Sequence, residues 1–342
     1  MNIKEFFSNF FTKYTGELTS INEIKFNPNV ILNANLQIGD YISISPIIDA
    51  VIQKWSDSKI YVICSGVDYD VVKCDPRVIA IKYPPKKHSW KYYRHSKKIA
   101  KDIGDVDLLI EPCKLNRSYR SMIGFLFKPK LTIGLYWDKY SCISKPILAS
   151  DIFRFHSISK PKMFSLMMNS YGFISIEDNY KLFENEESKS KMSKYLEDNE
   201  ISNYLVINPF ASTNKRTLSL ESVRIILSFL EEKFSHILIL IPPYIKNIEE
   251  WRALGGNIHF PPIDNFMDSV SLVRNASVVL SVDTSIVHVS SAFDKPIVAL
   301  FRGQDIKTSN WLPRSTFHSV LEIDMAGEEI ASQLISLRNK LV

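Results

Sequence analysis

Short runs of β-branched and aliphatic residues alternate along this chain with longer stretches in which apolar side chains recur at helical spacing. Continuous apolar runs suit strands covered on both faces, and the amphipathic stretches between them suit crossover helices, so the pattern predicts an α/β protein built on parallel sheets. In the first half, residues 29–35 (NVILNAN), 59–65 (KIYVICS) and 106–112 (VDLLIEP) read as buried strands, with residues 44–55 (ISPIIDAVIQKW) as a crossover helix. In the second half the theme returns at 204–210 (YLVINPF), 236–243 (HILILIPP), 277–283 (SVVLSVD) and 296–301 (PIVALF). From about Ile174 to Asn203 the chain is highly charged and poor in strand signals, which predicts a linker and a surface helix. The expected layout is therefore a first domain over 1–175, a linker over 176–203, a second domain over 204–325, and a closing amphipathic helix over 326–342.

At 342 residues the chain exceeds what one hydrophobic core usually holds, which agrees with two domains. Hydrophobic residues form 45% and charged residues 23%, so a packed core is expected rather than disorder. No apolar run reaches the roughly 18 residues that span a bilayer, and the opening residues lack a signal-peptide pattern, so the expected location is the cytoplasm. Cys64, Cys74, Cys113 and Cys142 are irregularly spaced, without a CxxC pair or nearby His cluster, so reduced thiols are expected. The net charge is only +5, yet Lys82, Lys86, Lys87, Lys91, Arg94, Lys97, Lys98 and Lys101 crowd into one aromatic-rich stretch suited to an anion. Read alone, that run fits a solvated face as well as a binding surface.

Three stretches carry candidate chemistry. In NANLQIGDYISISPIIDAV a strand ends in a turn bearing Gly39 and Asp40 before a helix begins near Pro46. Asp40 would then sit at the carboxyl end of a parallel strand, where open α/β sheets bind ligands, although the same residue also fits a helix cap. In INPFASTNKRTLSLESV, the residues Ser212, Thr213, Lys215 and Arg216 gather where a strand gives way to a loop, and Ser219 fits the cap of the next helix. Hydroxyl and cationic groups of this kind suit a diphosphate. In the third, Asp283, Thr284 and Ser285 lie at the turn from strand to helix, with His288 one turn inside. The amides of such a helix start attract anions, and Thr284 and His288 share one helix face. Asp283 as a plain cap and His288 as a core histidine are the alternatives.

Taken in order, GDYISISP at 39–46, NPFASTNKR at 208–216 and VDTSIVHVSSAFDKPIVALF at 282–301 resemble the heptosyltransferases of glycosyltransferase family 9. The resemblance implies a GT-B architecture, two Rossmann-like parallel-sheet domains facing a central cleft, with the acceptor on the first and the nucleotide sugar on the second. It implies Asp40 as catalytic base, Lys215 on the diphosphate with Ser212 and Thr213 beside it, and Asp283, Thr284, Ser285 and His288 in the donor turn. Glu249, or its neighbour Glu250, matches a glutamate on the donor ribose or sugar. The implied reaction is a metal-independent, inverting transfer of a sugar, typically heptose from ADP-heptose, onto a lipopolysaccharide or lipooligosaccharide core, with no cofactor beyond the nucleotide sugar.

Within that resemblance, Lys86, Lys87, Lys91 and Arg94, and a second set of Lys114, Arg117 and Arg120, become candidates for docking an anionic glycolipid acceptor, with peripheral contact at the inner membrane surface. Two positions depart from the family pattern: Phe210 and Ser285 stand where glycine is common, which predicts a reshaped donor pocket. Transfer of another sugar such as a hexose, and silent glycan binding, stay open. Nucleic acid is not an expected partner, because the chain lacks a reading motif and its basic residues do not dominate. The pairs Asp68 with Asp70 and Asp105 with Asp107 do not make a convincing metal-diphosphate motif.

Overall fold

The computed structural model describes residues 16–33, 37–64, 66, 68–84, 89–112, 117–136, 147–148, 158–174, 177–246, 248–306 and 310–340. They form two compact units, residues 1–179 and 180–342. The boundary falls within the charged stretch that the sequence marks for it.

The first unit runs β1 (Asn29–Asn33), α1 (Ile38–Ser43), α2 (Ser45–Lys54), β2 (Lys59–Cys64), α3 (Tyr69–Val72), β3 (Ile79–Lys82), α4 (Ser89–Ile103), β4 (Leu108–Glu111), α5 (Arg117–Phe127), β5 (Leu131–Tyr136), β6 (Ile147–Leu148) and α6 (Lys160–Ser170). Its strands pair in parallel in the order β3-β2-β1-β4-β5-β6. The second unit runs α7 (Glu186–Asp198), β7 (Tyr204–Asn208), α8 (Leu220–Ser228), β8 (His236–Ile239), α9 (Glu249–Arg252), β9 (Ile258–His259), α10 (Phe266–Asn275), β10 (Val278–Val282), α11 (Ser285–Ala292), β11 (Ile297–Phe301), α12 (Gly303–Ile306), β12 (His318–Glu322) and α13 (Gly327–Asn339). Its order, β12-β11-β10-β7-β8-β9, is the same doubly wound arrangement read from the other edge.

The central strands β4, β7, β10 and β11 are buried at every position, as their unbroken apolar runs require when helices cover both faces. The short edge strands β3, β9 and β12 alternate or stay half exposed, and their mixed composition leaves little trace in the sequence. Between β1 and β2 the helical region begins earlier than Pro46 implies. A capping box, in which Gln37 and Asp40 each bond the other's backbone, starts a helix at Ile38, so Asp40 lies inside its first turn rather than in a preceding loop. That turn is anchored from below: the Tyr41 hydroxyl donates to Asp75 at 2.9 Å, and Arg77 bridges Asp75 and Asp49, each at 2.7 Å.

The charged stretch expected to hold a linker and a surface helix contains α7, which packs on α10, with Lys191 paired with Asp264 at 2.6 Å and Asp268 at 2.8 Å. The closing helix α13 buries Ile330, Ala331, Leu334 and Leu337 in the core of the second unit with Val223, Ile226 and Leu280. Its apolar stripe is wide enough for that one core. Leu334→Ala should therefore lower stability by about 2 to 5 kcal/mol in denaturant titration. A loss below about 0.5 kcal/mol, the level of an ordinary surface change, would contradict this packing.

Candidate functional site

In a sheet of this order the chain leaves the first and fourth strands toward opposite faces, and the gap beyond their carboxyl ends is where open α/β sheets take ligands. In the second unit those strands are β7 and β10. Asn208, the last residue of β7, donates its amide to Ser281 Oγ at 3.0 Å and to Thr284 Oγ1 at 2.9 Å, tying the two strand ends together. Thr284 caps α11: its hydroxyl accepts from the Ile286 amide at 3.3 Å and its carbonyl from the Val287 amide at 3.1 Å. The Ser285 amide has no hydrogen-bond partner among the described residues and remains available at the positive end of the helix.

The loop after β7 folds over this turn. Arg216 donates from Nη1 to Asp283 Oδ2 at 2.8 Å, from Nη2 to Ser212 Oγ at 2.9 Å and from Nε to Thr213 Oγ1 at 3.4 Å. One planar guanidinium thus pins the hydroxyl-rich loop to the turn at Asp283, a geometry the fork of arginine supports and the single ammonium of lysine does not. Thr217 closes the loop from the other side, its hydroxyl accepting from the Ala211 amide at 3.0 Å. Ser219 caps α8 by accepting from the Ser222 amide at 3.0 Å, as its position predicts.

A cavity of about 470 Å³ opens here, lined by Thr213, Lys215, Arg216, Asp283, Arg302, Asp305 and Trp311. Of the donor-site residues named from sequence, the structure brings Thr213, Lys215 and Asp283 into this cavity, with Ser212 and Thr284 bonded to its walls. Arg216 takes the role of organiser, and Asp283 pairs with it while Thr284 supplies the cap. Arg302, Asp305 and Trp311 were missed. Applying the strand-end rule to β11 would have found Arg302, the first residue beyond it.

His288 and Glu249 do not line the cavity. His288 is 5% exposed and lies between Tyr180 and Trp311, whose rings stand edge-on at 5.5 and 5.3 Å. It supports the Trp311 wall. Burial lowers its pKa to about 4, and its buried Nδ1 has no hydrogen-bond partner. Glu249 opens α9 on the exposed surface. The two departures from glycine also find their places. Phe210 turns into the core against Trp251, ring centroids 4.8 Å apart, and Ser285 sits at the first position of α11. Neither has a positive φ, so neither position requires glycine in this backbone.

In the first unit, Asp40 accepts the Gln37 amide on Oδ2 at 3.1 Å, while Oδ1 takes no hydrogen bond among the described residues. Burial raises its pKa above the ordinary carboxylate value, against the opposing pull of the Gln37 amide and the Lys160 charge. At the switch point of this sheet Asn33 and Glu111, both 1% exposed, approach at 3.4 Å. Lys91 and Arg94 are exposed on α4. Lys86, Lys87 and Lys114 lie outside the described residues, as do the side chains of Arg117 and Arg120 on α5. Asp107 bonds the Asn29 amide and Lys130, and Asp70 pairs with Lys73, so both are occupied by structural contacts.

Two parallel six-stranded sheets, each in the doubly wound order, are the pair of Rossmann-like units of the GT-B fold, and the second carries an anion-suited cavity at its switch point. Residues 162–326 match the model of glycosyltransferase family 9 (heptosyltransferase). The Escherichia coli (strain K12) protein named "Putative lipopolysaccharide heptosyltransferase 4" is 22% identical over 198 residues, 57% of this chain. The match spans about half of that relative's length, 53%. The solved glycosyl transferase family 9 protein from Veillonella parvula DSM 2008 superimposes with a TM-score of 0.78 at 12% identity, covering 93% of this chain and 99% of its own. E. coli ADP-heptose lps heptosyltransferase II does so at 0.73 and 12% identity, covering 92% and 99%. E. coli heptosyltransferase WaaC with ADP does so at 0.71 and 13%, covering 91% and 99%. At these identities the structural likeness speaks for the fold.

The buried histidine has a measurable consequence. The folded state holds His288 neutral down to about pH 4, while the unfolded chain binds its proton near pH 6.5. The protein should therefore keep the full contribution of this group above about pH 6.5 and lose up to roughly 3 kcal/mol as pH falls toward 4. His288→Phe should flatten the stability profile across that window, read by chemical unfolding at a series of pH values. An unchanged acid slope would show that the ring is not buried neutral.

Proposed function

We propose that this protein is an inverting glycosyltransferase that moves a sugar, heptose from ADP-heptose, onto a lipopolysaccharide or lipooligosaccharide core acceptor. The observation that carries this reading is the cavity at the end of β7 and β10, where Lys215, Arg216 and Arg302 converge with Thr213 and the Ser285 amide lies at the adjoining helix start. Such a set of donors suits a leaving diphosphate. The structures of heptosyltransferase relatives solved with ADP or with ADP-2-deoxy-2-fluoro heptose favour ADP-heptose as the donor.

The chain's own residues account for each step. Arg216 and Asp283 hold the loop in place, and Lys215 with the Ser285 amide meets the negative charge that develops on the diphosphate as its bond to the anomeric carbon breaks. Asp40 accepts the proton of the acceptor hydroxyl as that oxygen attacks from the opposite face, which inverts the anomeric centre. Lys91 and Arg94, with Lys86, Lys87, Lys114, Arg117 and Arg120, offer cations for the acidic groups of the acceptor.

Nucleotide release from a panel of nucleotide sugars, given a truncated lipopolysaccharide acceptor, tests this reading. ADP release is expected, with Asp40→Asn lowering kcat by roughly a hundredfold to ten-thousandfold while KM for the donor stays within a few fold. Lys215→Ala should cost a similar order through the leaving group, about a hundredfold or more. Release of UDP or GDP instead would replace the donor, and binding of the acceptor without release of any nucleotide would overturn the enzyme.

The acid limb of the pH profile gives a separate check. Asp40 must be ionised to accept a proton, and burial raises its pKa, so kcat/KM should fall with an apparent pKa above the ordinary value of about 3.9. The same shift disfavours the ionised form in the folded protein. Asp40→Asn should accordingly leave stability at neutral pH equal or higher, with the difference vanishing in acid.

A further inference from the structure

Helix α4 is two-sided in an unusual way. Its inner face places Tyr92 and Ser96 in full burial, with Tyr93, Ile99, Ala100 and Ile103 packed on the cluster around Ile31, Ile63 and Leu109. Its outer face consists of Trp90, Lys91, Arg94, Lys97, Lys98 and Lys101, all exposed, with Asp102 at the carboxyl end. Positions 90, 94, 97, 98 and 101 follow the i, i+4, i+7, i+8, i+11 spacing that makes one continuous stripe.

A solvated helix face ordinarily mixes signs, as α7 does, where Lys189 reaches Glu186 and Lys191 reaches Asp264 and Asp268. None of the five cations of α4 forms an ion pair among the described residues. Leaving like charges one turn apart and uncompensated costs a few tenths of a kcal/mol per pair, so the stripe is not an arrangement that folding favours. Trp90, 60% exposed, stands at the start of the stripe with its ring edge-on to Tyr93 at 5.7 Å. A large amphipathic ring beside a row of cations suits the headgroup level of a bilayer.

The extent of the stripe distinguishes between anionic partners. Lys97, Lys98 and Lys101 continue it beyond Lys91 and Arg94 along one helix face, and a row spread over about three turns matches a flat anionic plane better than a single phosphate. The apolar face of α4 is already buried in the protein, so the helix does not insert, and contact is carried by charge with Trp90 at the interface.

We propose that the outer face of α4 docks this protein on the anionic lipid headgroups of a membrane surface. The helix begins just beyond the carboxyl end of β3, the edge of the sheet that also carries Asp40, so docking would bring that edge toward a lipid-borne acceptor. The surface itself stands independently of the sugar transferred.

Sedimentation of the full chain with vesicles of phosphatidylcholine, with and without phosphatidylglycerol, tests the proposal, since neither contains glycan or donor. Binding is expected only with phosphatidylglycerol and should fade as salt shortens the screening length. The combined Lys97→Glu, Lys98→Glu and Lys101→Glu variant, checked for folding by circular dichroism, should bind at least roughly tenfold more weakly, and Trp90→Ala several-fold more weakly. Turnover of a soluble acceptor fragment should be unchanged in the charge-reversal variant. Vesicle binding that is absent, that is equal on both lipids, or that the triple variant retains would overturn the proposal. Competition by millimolar inorganic phosphate at constant ionic strength would overturn it in favour of a discrete phosphate site.

Discussion

The molecule is organised by one constraint: in each sheet, two neighbouring parallel strands send their chains to opposite faces, and the opening between them has to be closed by polar side chains. In the second unit Asn208 closes it, with an amide that reaches both Ser281 and the capping hydroxyl of Thr284. The turn at Asp283 and Thr284, the start of α11 and the pinned loop above them all take their positions from that bridge. In the first unit the same place on the sheet holds Asn33 opposite Glu111, again the last residue of the first strand facing the fourth.

The electrostatics follow from this frame. Three cationic side chains and two carboxylates line the second-unit cavity, but Asp283 is held by Arg216, so the positive character that faces inward comes chiefly from Lys215 and Arg302. Arg216 is the more consequential residue for shape, because its guanidinium satisfies groups on both sides of the opening at once. Asp40 illustrates the converse in the first unit. A helical first turn supplies one hydrogen bond to its carboxylate while burial withholds water from the rest, and the outcome is a carboxyl group of raised pKa tied to its own cap.

Most of the fold was legible because its central strands are buried on both faces, as the unbroken apolar runs at Val30, Leu205, Val278 and Ile297 require. The edge strands were not, since β3 and β12 face water on one side and their residues are chosen for that. Asp283 and Thr284 could be named because they follow a strand directly, and Asp40 and Lys215 because they lie in the first polar segment after one. Trp311 could not, because its place in the cavity depends on packing against His288 and only the folded chain brings Tyr180 to the other side of that ring. Where the closing helix packs was not legible for a related reason. Its periodicity shows that one face is buried, and periodicity carries no information about which core receives it.

The confinement of α13 to the second unit has a consequence for how such a chain can change. Among the described residues, every strand and helix of one sheet comes from one uninterrupted length of polypeptide, with a single passage at residues 179 and 180. A recombination event at that passage would exchange an entire half without dividing either hydrophobic core, so one half can diversify as a cassette while the other is inherited intact.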